Sequence, residues 1–422
     1  MTTSFFDALV SRRRFVGWTA VAASAGAVSA KLAFATPEDA AQGDLLVAVF
    51  LRGGADGLSF VPPYGDDAYY QLRPTIAIPR PGQAGGALDL NGFFGLHPAM
   101  RSLYEGPWTA GRLAIVNAAG WPSAVTDTRS HFEAQDFWER GSVEAAVRSG
   151  WIARHLSSSA SAGAAPGVGF GSSLQTSLRG FSGSLSVSRL DQFGVRGFGG
   201  GDTARVRTAL SQLYGAAPGQ LGAAGTGLLA AAEQVTAAAQ IPPSNGVTYP
   251  DSDLAQGLRQ VAQLARGRVG LRAAALDVGG WDMHDDMGTS TNGQMAGRAG
   301  AVADALTAFS NDLGAQLSEV TVVVMSEFGR TSRENGNGGT DHGRGSVMFV
   351  MGGAVTGGLY GQWPTLTQDN DPDRDLSVTT DQRAVLSEIV TGRLGNSNLG
   401  AVFPSFTPAA PLGLAAAMAQ AN

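Results

Sequence analysis

The chain has 422 residues, of which 44% are hydrophobic and 15% charged, and its formal net charge at pH 7 is −6. A chain of this length can bury the core of one large domain or of two closely joined ones. The acidic balance argues against nucleic acid or an anionic membrane surface as a partner. The complete absence of cysteine excludes disulfides, thiolate nucleophiles and thiolate–zinc sites.

The first 35 residues have the features of an export signal. Residues 11–16 read SRRRFV, which is the twin-arginine pattern, and Ala33-Phe-Ala35 is an Ala-x-Ala cleavage site. A transmembrane anchor is the alternative, but the intervening stretch contains Lys31 and is shorter than the ~20 strongly apolar residues that a span requires. We therefore expect residues 1–35 to be removed after twin-arginine export, so that residues 36–422 work in the periplasm or outside the cell without a stable membrane anchor.

Buried strands and amphipathic helices alternate along the rest of the chain. Helical stripes run from Leu254 to Leu264 and from Met295 to Leu313, and a last helix is expected to start near Thr380. The alternation predicts an α/β fold with a largely parallel sheet flanked by helices. Residues 155–250 are rich in Gly, Ala and Ser and are expected to form an insertion or cap. The continuous apolar runs that predict strands are Leu45–Leu51, Leu113–Asn117, Leu271–Val278, Thr321–Met325 and Val347–Met351.

Carboxylates follow two of these strands. Arg52-Gly-Gly-Ala-Asp56 follows the first strand, and its glycines allow a tight turn that brings Asp56 over the strand end. Asp56 can serve there as a metal ligand or satisfy the amides of its own turn. Glu327 stands where the strand Thr321–Met325 meets a loop. In an α/β fold the carboxyl ends of strands are where ligands bind.

Asp-His pairs stand in two of the following loops. Asp282 and His284 follow the third predicted strand, and in extended backbone both side chains project to the same side. They can bind one ion, or Asp282 can simply hydrogen-bond a structural histidine. His342 stands between glycines in Gly339-Thr-Asp-His-Gly343. Carboxylate and imidazole ligands together suit Zn²⁺, Mn²⁺ or Fe²⁺ better than Ca²⁺ or Mg²⁺.

Ser130 is expected to start a helix after the second strand. Ser130 and Glu133 have the spacing of a capping box, which explains both residues without any catalytic role. A hydroxyl at a helix N-terminus also lies where free amides favour a phosphate or sulfate, and Arg129 can bind such an anion through two hydrogen bonds. The two roles are compatible with each other.

Several segments together resemble one family, the exported bacterial domain-of-unknown-function 1501 family, which is placed in the alkaline phosphatase and sulfatase superfamily. The resemblance implies a fold like that of alkaline phosphatase. The segments, besides the twin-arginine signal, are Leu51–Gly57, Arg129–Gln135, Gly280–His284, Glu327–Arg330 and Gly339–Gly343.

The same resemblance implies roles for individual residues. Asp56, Asp282, His284 and His342 are similar to metal-binding residues of the superfamily, Glu327 is similar to the carboxylate of its second metal site, and Ser130 or Thr128 falls near its nucleophile. The chain departs from the superfamily pattern in two places. One residue separates Asp282 from His284 where three are usual, and Glu327-Phe328 replaces Asp-His. One site for Zn²⁺ or Mn²⁺, formed by Asp282, His284 and His342, is therefore expected rather than two.

The sequence thus favours an exported metal-dependent hydrolase of phosphate or sulfate esters, acting on a small-molecule or glycan ester. Ser130, Thr128 or water would attack, while Arg129 and Arg330 bind the non-bridging oxygens. The alternative is a non-catalytic envelope protein that binds a glycan or a partner protein through a degenerate site. Nothing in the sequence specifies an oligomeric state.

Overall fold

A computed structural model describes residues 44–159, 165–194, 202–366 and 375–415, so the expected export signal lies outside the described residues. The strands are β1 Leu45–Leu51, β2 Leu88–Asp89, β3 Gly95–Leu96, β4 Leu113–Gly120, β5 Gly167–Phe170, β6 Ser184–Val187, β7 Ala273–Val278, β8 Val320–Met325, β9 Ser346–Gly352, β10 Gly358–Tyr360 and β11 Thr380–Asp381. The helices are α1 Gly57–Phe60, α2 Asp67–Leu72, α3 Arg101–Leu103, α4 His131–Arg140, α5 Trp151–Ser158, α6 Thr203–Ala216, α7 Gly219–Ala238, α8 Asp253–Arg266, α9 Gln294–Leu313, α10 Gln382–Gly392 and α11 Leu399–Val402. Among the residues that the structure describes, no helix is both long and apolar enough to cross a membrane.

The main sheet has nine strands in the order β10-β4-β9-β8-β1-β7-β5-β6, with β11 also paired to β4. All of its pairings are parallel except those of β9, which runs antiparallel to both β4 and β8. The prediction of an α/β fold with a largely parallel sheet flanked by helices is confirmed, and each of the five predicted strands is present.

Helices cover both faces of the sheet, which is why its strands are continuously apolar. In β1, Val47 and Val49 face the layer that contains α8 and α9. Leu46, Ala48 and Phe50 alternate with them and face the other layer, where Trp138 of α4 and Trp151 of α5 pack. Side chains on a strand point alternately to its two faces, so each residue of β1 is buried.

Residues 155–250, expected as an insertion or cap, contribute to the main sheet. The short strands β5 and β6 extend the sheet beyond β7 in parallel register. The chain then forms α6 and α7, which pack against each other. Strand β5 is difficult to predict because it reads GVGF, and glycine is depleted in strands.

Strand β9 departs from the expectation that the predicted runs would all fit a parallel sheet. The chain leaves β8 at Met325, passes through residues 326–345 and enters β9 at the same edge of the sheet, so β9 must run back against β8. As a result, the connection 326–345 stays at the carboxyl edge of β8, where it places the candidate site residues Glu327, Arg330 and His342.

Candidate metal centre

Loops that follow β1, β7 and β8 meet at one edge of the sheet. The loop after β1 touches the loop after β7 through Gly53, whose φ is +123°. A Cβ at this position would lie 2.5 Å from the backbone nitrogen of Asp282, so only glycine allows the close approach. The loop after β7 in turn bonds the β8–β9 connection, where the Thr340 amide donates to the Met283 carbonyl at 3.2 Å.

Three imidazoles converge on the carboxylate of Asp282. Its Oδ1 lies 2.9 Å from Nε2 of His284, 3.1 Å from Nε2 of His342 and 3.4 Å from Nε2 of His131. The Nε2 atoms of His284 and His342 are 3.0 Å apart. The ligand atoms of His131, Asp282 and His342 all lie within 4.8 Å of one another, as the ligands of a single ion would. The structure thus brings Asp282, His284 and His342 together and adds His131 to them.

Each of the three histidines is held through its other ring nitrogen. Nδ1 of His131 bonds Oε1 of Glu327 at 2.8 Å, and Nδ1 of His284 bonds Oδ1 of Asp341 at 2.9 Å. Nδ1 of His342 donates to the backbone carbonyl of Arg129 at 2.9 Å. A carbonyl or carboxylate oxygen can only accept, so the ring proton lies on Nδ1 and a neutral ring presents a bare Nε2 to Asp282. Histidine ligands of metals are oriented in this way.

The environment keeps both carboxylates of this region ionised. Burial alone would raise the pKa of Glu327, but hydrogen bonds from His131 and Gln135 outweigh burial and lower the pKa to about 2. Burial also opposes ionisation of Asp282, and the hydrogen bond and positive charge of Arg330 hold its pKa well below the usual range. The two negative charges therefore persist at neutral pH, beside imidazoles whose lone pairs face the same point.

Phe328 forms an apolar wall beside two of the histidines. Its ring centroid lies 4.9 Å from the centroid of His131 and 4.9 Å from that of His342. The side chain is buried. Packing against Phe328 fixes the two imidazole planes and removes water from one side of the cluster, which strengthens electrostatic interactions there.

Glu327 lies behind His131 rather than among the atoms that face Asp282. Its Oε1 accepts from the Gly53 amide, from His131 and from Gln135, each at 2.8 Å. Its Oε2 accepts from the Ser326 hydroxyl at 3.0 Å. The carboxylate that the resemblance implied for a second metal site is thus occupied in orienting the ring of His131.

Asp56 lies in a buried ion pair. Its Oδ2 and Oδ1 accept from the guanidinium of Arg73 at 2.5 and 3.1 Å, and Oδ2 also accepts from the Ser59 hydroxyl at 2.9 Å. Its Oδ1 caps α1 by accepting from the Leu58 amide at 3.1 Å. These contacts match the turn-satisfying role more closely than the metal-binding one, and the ion pair with Arg73 was not foreseen.

Arg330 is a buried structural arginine as well as a neighbour of the cluster. Its guanidinium donates to the carbonyls of Gly53, Gly54 (2.6 Å) and Thr340 (2.9 Å), and to Oδ1 of Asp282 at 2.6 Å. With its donors used in this way, Arg330 holds the loops together and positions Asp282. Binding of substrate oxygens, the role expected from the sequence, would compete with these bonds.

Ser130 occupies the N-cap position of α4 with extended backbone, but its side chain makes no capping hydrogen bond. The expected capping box is absent because Glu133 instead accepts from the Thr128 hydroxyl at 2.7 Å. Arg129 pairs with Asp375 at 2.7 Å and is 32% exposed. The N-terminus of α4 lies at the cluster, since the next residue is His131.

His131 lies in the motif Arg129–Gln135, in which the local sequence favours Ser130 rather than His131 as the residue with a chemical role. The available signal was the position itself, because the first residue of a helix that starts at the site edge must project near that edge. In the structure its Nε2 is buried, makes no hydrogen bond and faces Oδ1 of Asp282 at 3.4 Å.

Comparisons with known proteins give a family but no activity. The family model described as "Protein of unknown function (DUF1501)" matches residues 44–385. No curated protein matches the chain. Two solved structures are similar at a distance. "Crystal structure of Ps i-CgsB in complex with k-i-k-neocarrahexaose" is 12% identical with a TM-score of 0.36, covering 84% of this chain and 73% of that one. "Crystal structure of Ps i-CgsB" is 13% identical with a TM-score of 0.31, covering 75% and 68%. Likenesses this distant carry no information on activity.

Proposed function

Because the chain belongs to the DUF1501 family of proteins of unknown function, we propose its activity from the site: a metal-dependent hydrolase of phosphate or sulfate esters that works after export. One observation carries the proposal. Three Nε2 atoms lie within 3.4 Å of Oδ1 of Asp282, and each belongs to a ring whose Nδ1 is held by an oxygen acceptor.

The donor set fits a transition metal in kind and in spacing. Three imidazole nitrogens and one carboxylate oxygen suit Zn²⁺ or Mn²⁺. Four ligands at bonds of about 2.0–2.2 Å around a tetrahedral ion are separated by about 3.3–3.6 Å. The Nε2 atoms of His131 and His342 lie at 3.4 and 3.1 Å from Oδ1 of Asp282, near this separation, whereas Nε2 of His284 lies closer, at 2.9 Å. The His131 Nε2 is shielded from solvent and has no hydrogen-bond partner.

In this proposal His131, Asp282 and His342 hold the ion, and His284 supplies a fourth ligand. The bound ion would supply Lewis-acid stabilisation of the charge that develops on the transferring group. The Ser130 hydroxyl, which makes no capping bond, would attack the phosphorus or sulfur atom and displace the alcohol of the ester, which takes up the hydroxyl proton. Water would then release the phosphate or sulfate from Ser130, or water would attack the ester directly and give the same two products. Arg129 at the start of α4 would bind the non-bridging oxygens together with the free amides of that helix.

The same proposal includes the finer assignments of the family. A relation to the alkaline phosphatase and sulfatase superfamily is supported by the order of Asp282, His284 and His342 along the chain and by their position at the carboxyl ends of strands. Export by the twin-arginine route, and hence a periplasmic or secreted location, is supported by residues 11–16 and by the Ala-x-Ala sequence at residues 33–35.

The test is the metal content of the purified protein, paired with turnover of chromogenic phosphate and sulfate esters. Asp282→Asn should lose most of the bound metal and the turnover. Asp285→Asn is the matched control, because it removes the same charge from an exposed side chain in the same loop and should retain both. If the wild type binds no transition metal and cleaves none of the esters, the hydrolase is wrong and the protein is better explained as a binding protein for a glycan or a partner.

A further inference from the structure

One face of α4 carries a row of polar side chains along the carboxyl edge of the sheet. His131, Gln135 and Glu139 are spaced four residues apart, so they share this face of the helix. His131 bonds Glu327 after β8, and Glu139 bonds Arg52 after β1 at 3.1 Å. The row therefore connects the candidate metal centre to a second charged group on the same edge.

The second charged group consists of Arg52, Glu139 and Asp277, and Arg52 pairs with both carboxylates. Its Nη2 contacts Oε2 of Glu139 at 3.1 Å and Oδ1 of Asp277 at 2.8 Å, so carboxylates on two elements hold the guanidinium. The guanidinium also lies over the ring of Phe50, with 4.6 Å from Cζ to the centroid. These contacts leave Nη1 directed along the helix, and it donates to Oε1 of Gln135 at 3.1 Å.

Gln135 joins the two groups. Its Oε1 accepts from Arg52, and its Nε2 donates to Oε1 of Glu327 at 2.8 Å. An arginine can only donate and an ionised carboxylate can only accept, so the orientation of the amide is determined by its two neighbours. Glutamate at this position would repel Glu327, and an apolar residue would remove one hydrogen bond from Arg52 and one from Glu327.

We propose that Gln135 is a positioning residue, anchored by Arg52, which holds the Glu327 carboxylate so that Glu327 aims Nε2 of His131 into the cluster. The inference rests on the proposed function only in assigning a metal to that Nε2. The geometry of the His131 ring itself exists without an ion. Gln135 touches neither a substrate nor the four groups that would hold the ion, so it acts through Glu327.

The test uses the change Gln135→Leu, which keeps a high helix propensity but removes both hydrogen bonds. In metal-free protein labelled with ¹⁵N-histidine, the ring signals of His131 should shift, whereas those of His342, which a backbone carbonyl holds, should stay. The neighbouring change Asp136→Asn, which alters the ion pair between the exposed Asp136 and the buried Arg140, is the control and should shift neither.

In protein loaded with Co²⁺, Gln135→Leu should weaken binding by up to about 10-fold, less than loss of the Glu327 carboxylate that bonds His131 directly, and should alter the visible absorption spectrum. Unchanged His131 signals in Gln135→Leu would overturn the positioning role, whether or not metal binds. A wild type that takes up no Co²⁺ would instead overturn the proposed function, while the ring signals still decide the role of Gln135.

Discussion

The three histidines at the carboxyl edge of the sheet contrast with the two in the packed interior. At the edge, Nδ1 of His131, His284 and His342 bonds an oxygen acceptor, and Nε2 faces Oδ1 of Asp282. In the interior the order is reversed. Nδ1 of His97 accepts from the Ala99 amide at 3.1 Å, and Nδ1 of His155 accepts from Nδ2 of Asn396 at 3.1 Å. The ring proton therefore lies on Nε2 in both interior histidines.

The contrast shows that the hydrogen-bond partner of Nδ1 indicates a candidate metal ligand better than the burial of the histidine does. His97 and His155 are almost completely buried and have strongly lowered pKa values, which alone could suggest function. Each stands alone, with no carboxylate in hydrogen-bond contact with its ring among the described residues. The edge histidines are more exposed, yet their bare nitrogens point to a common carboxylate. The predictions below test this distinction.

The largest difference is expected from one substitution made in both groups. His342→Ala should reduce metal affinity by more than about 100-fold, since removing even a partner behind a ligand costs 10- to 100-fold, and ester hydrolysis should fall with it. The protein should remain folded because His342 lies in a polar loop. His155→Ala should keep its metal but lose about 2 kcal/mol or more of stability through the cavity in α5.

The measurements are metal per chain, ester turnover and the free energy of unfolding, with circular dichroism to verify folding. Equal loss of metal in both variants would remove the distinction between edge and interior. A His342→Ala variant that matches an active wild type would make that histidine structural.

The second prediction concerns pH and the interior pair. Burial lowers the pKa of His97 and of His155 to about 4. Each of these histidines takes up a proton near pH 6.5 in the unfolded chain but only near pH 4 in the folded chain. The free energy of unfolding is therefore highest above about pH 6.5 and decreases as the pH falls from 6.5 to 4. The loss is on the order of 3 kcal/mol for each histidine. Urea unfolding of metal-free protein at several pH values measures it.

Replacing His155 by Phe removes one titrating group without removing the ring. The decline of the unfolding free energy between about pH 6.5 and 4 should then become shallower by the share of one histidine. A decline of the same size in His155→Phe as in the wild type would mean that the interior histidines do not govern acid sensitivity.

A smaller loss of metal affinity is expected from a substitution of Glu327, the carboxylate that bonds Nδ1 of His131. Glu327→Gln keeps the shape of the side chain but replaces an ionised acceptor of three hydrogen bonds, so metal affinity should fall about 10- to 100-fold. Glu133→Gln makes the same change at an exposed position of α4 and should leave the affinity unchanged. Calorimetric titration with Zn²⁺ distinguishes them, and equal affinities would show that His131 needs no carboxylate behind it.

The smallest stability effect is expected at Ser130. Because its side chain makes no capping bond, Ser130→Ala should change the free energy of unfolding by less than about 0.5 kcal/mol, below the 0.5–2 kcal/mol that a lost cap costs. Hydrolysis of the best ester should nevertheless be lost if Ser130 attacks. Full activity of Ser130→Ala would assign the attack to water and leave the metal site unaffected.

Local sequence predicted the strands and the loops that follow them, because continuous apolar runs and glycine-rich turns act over a few residues. It therefore placed Asp282, His284 and His342 at a common edge. It did not predict the partners, because these come from distant segments. Asp56 pairs with Arg73 and Glu327 with His131, and neither pairing follows from a motif. The direction of β9 was also beyond local reasoning, since it depends on the edge at which the chain re-enters the sheet.

The ligands of the candidate site are far apart in sequence, so a bound ion would also stabilise the fold. Arg129 and His342, which meet at the cluster, are 213 residues apart in sequence. An ion held by His131, Asp282 and His342 would act as a cross-link between three loops and would bind only the folded chain. A ligand that binds only the folded state stabilises it by an amount that grows with the logarithm of the free ligand concentration, about 2.7 kcal/mol at a hundredfold excess over its dissociation constant, and the unfolding temperature rises accordingly. The unfolding temperature, measured with and without added metal, therefore reports whether the ion is bound, and this measurement can be made without knowing the substrate.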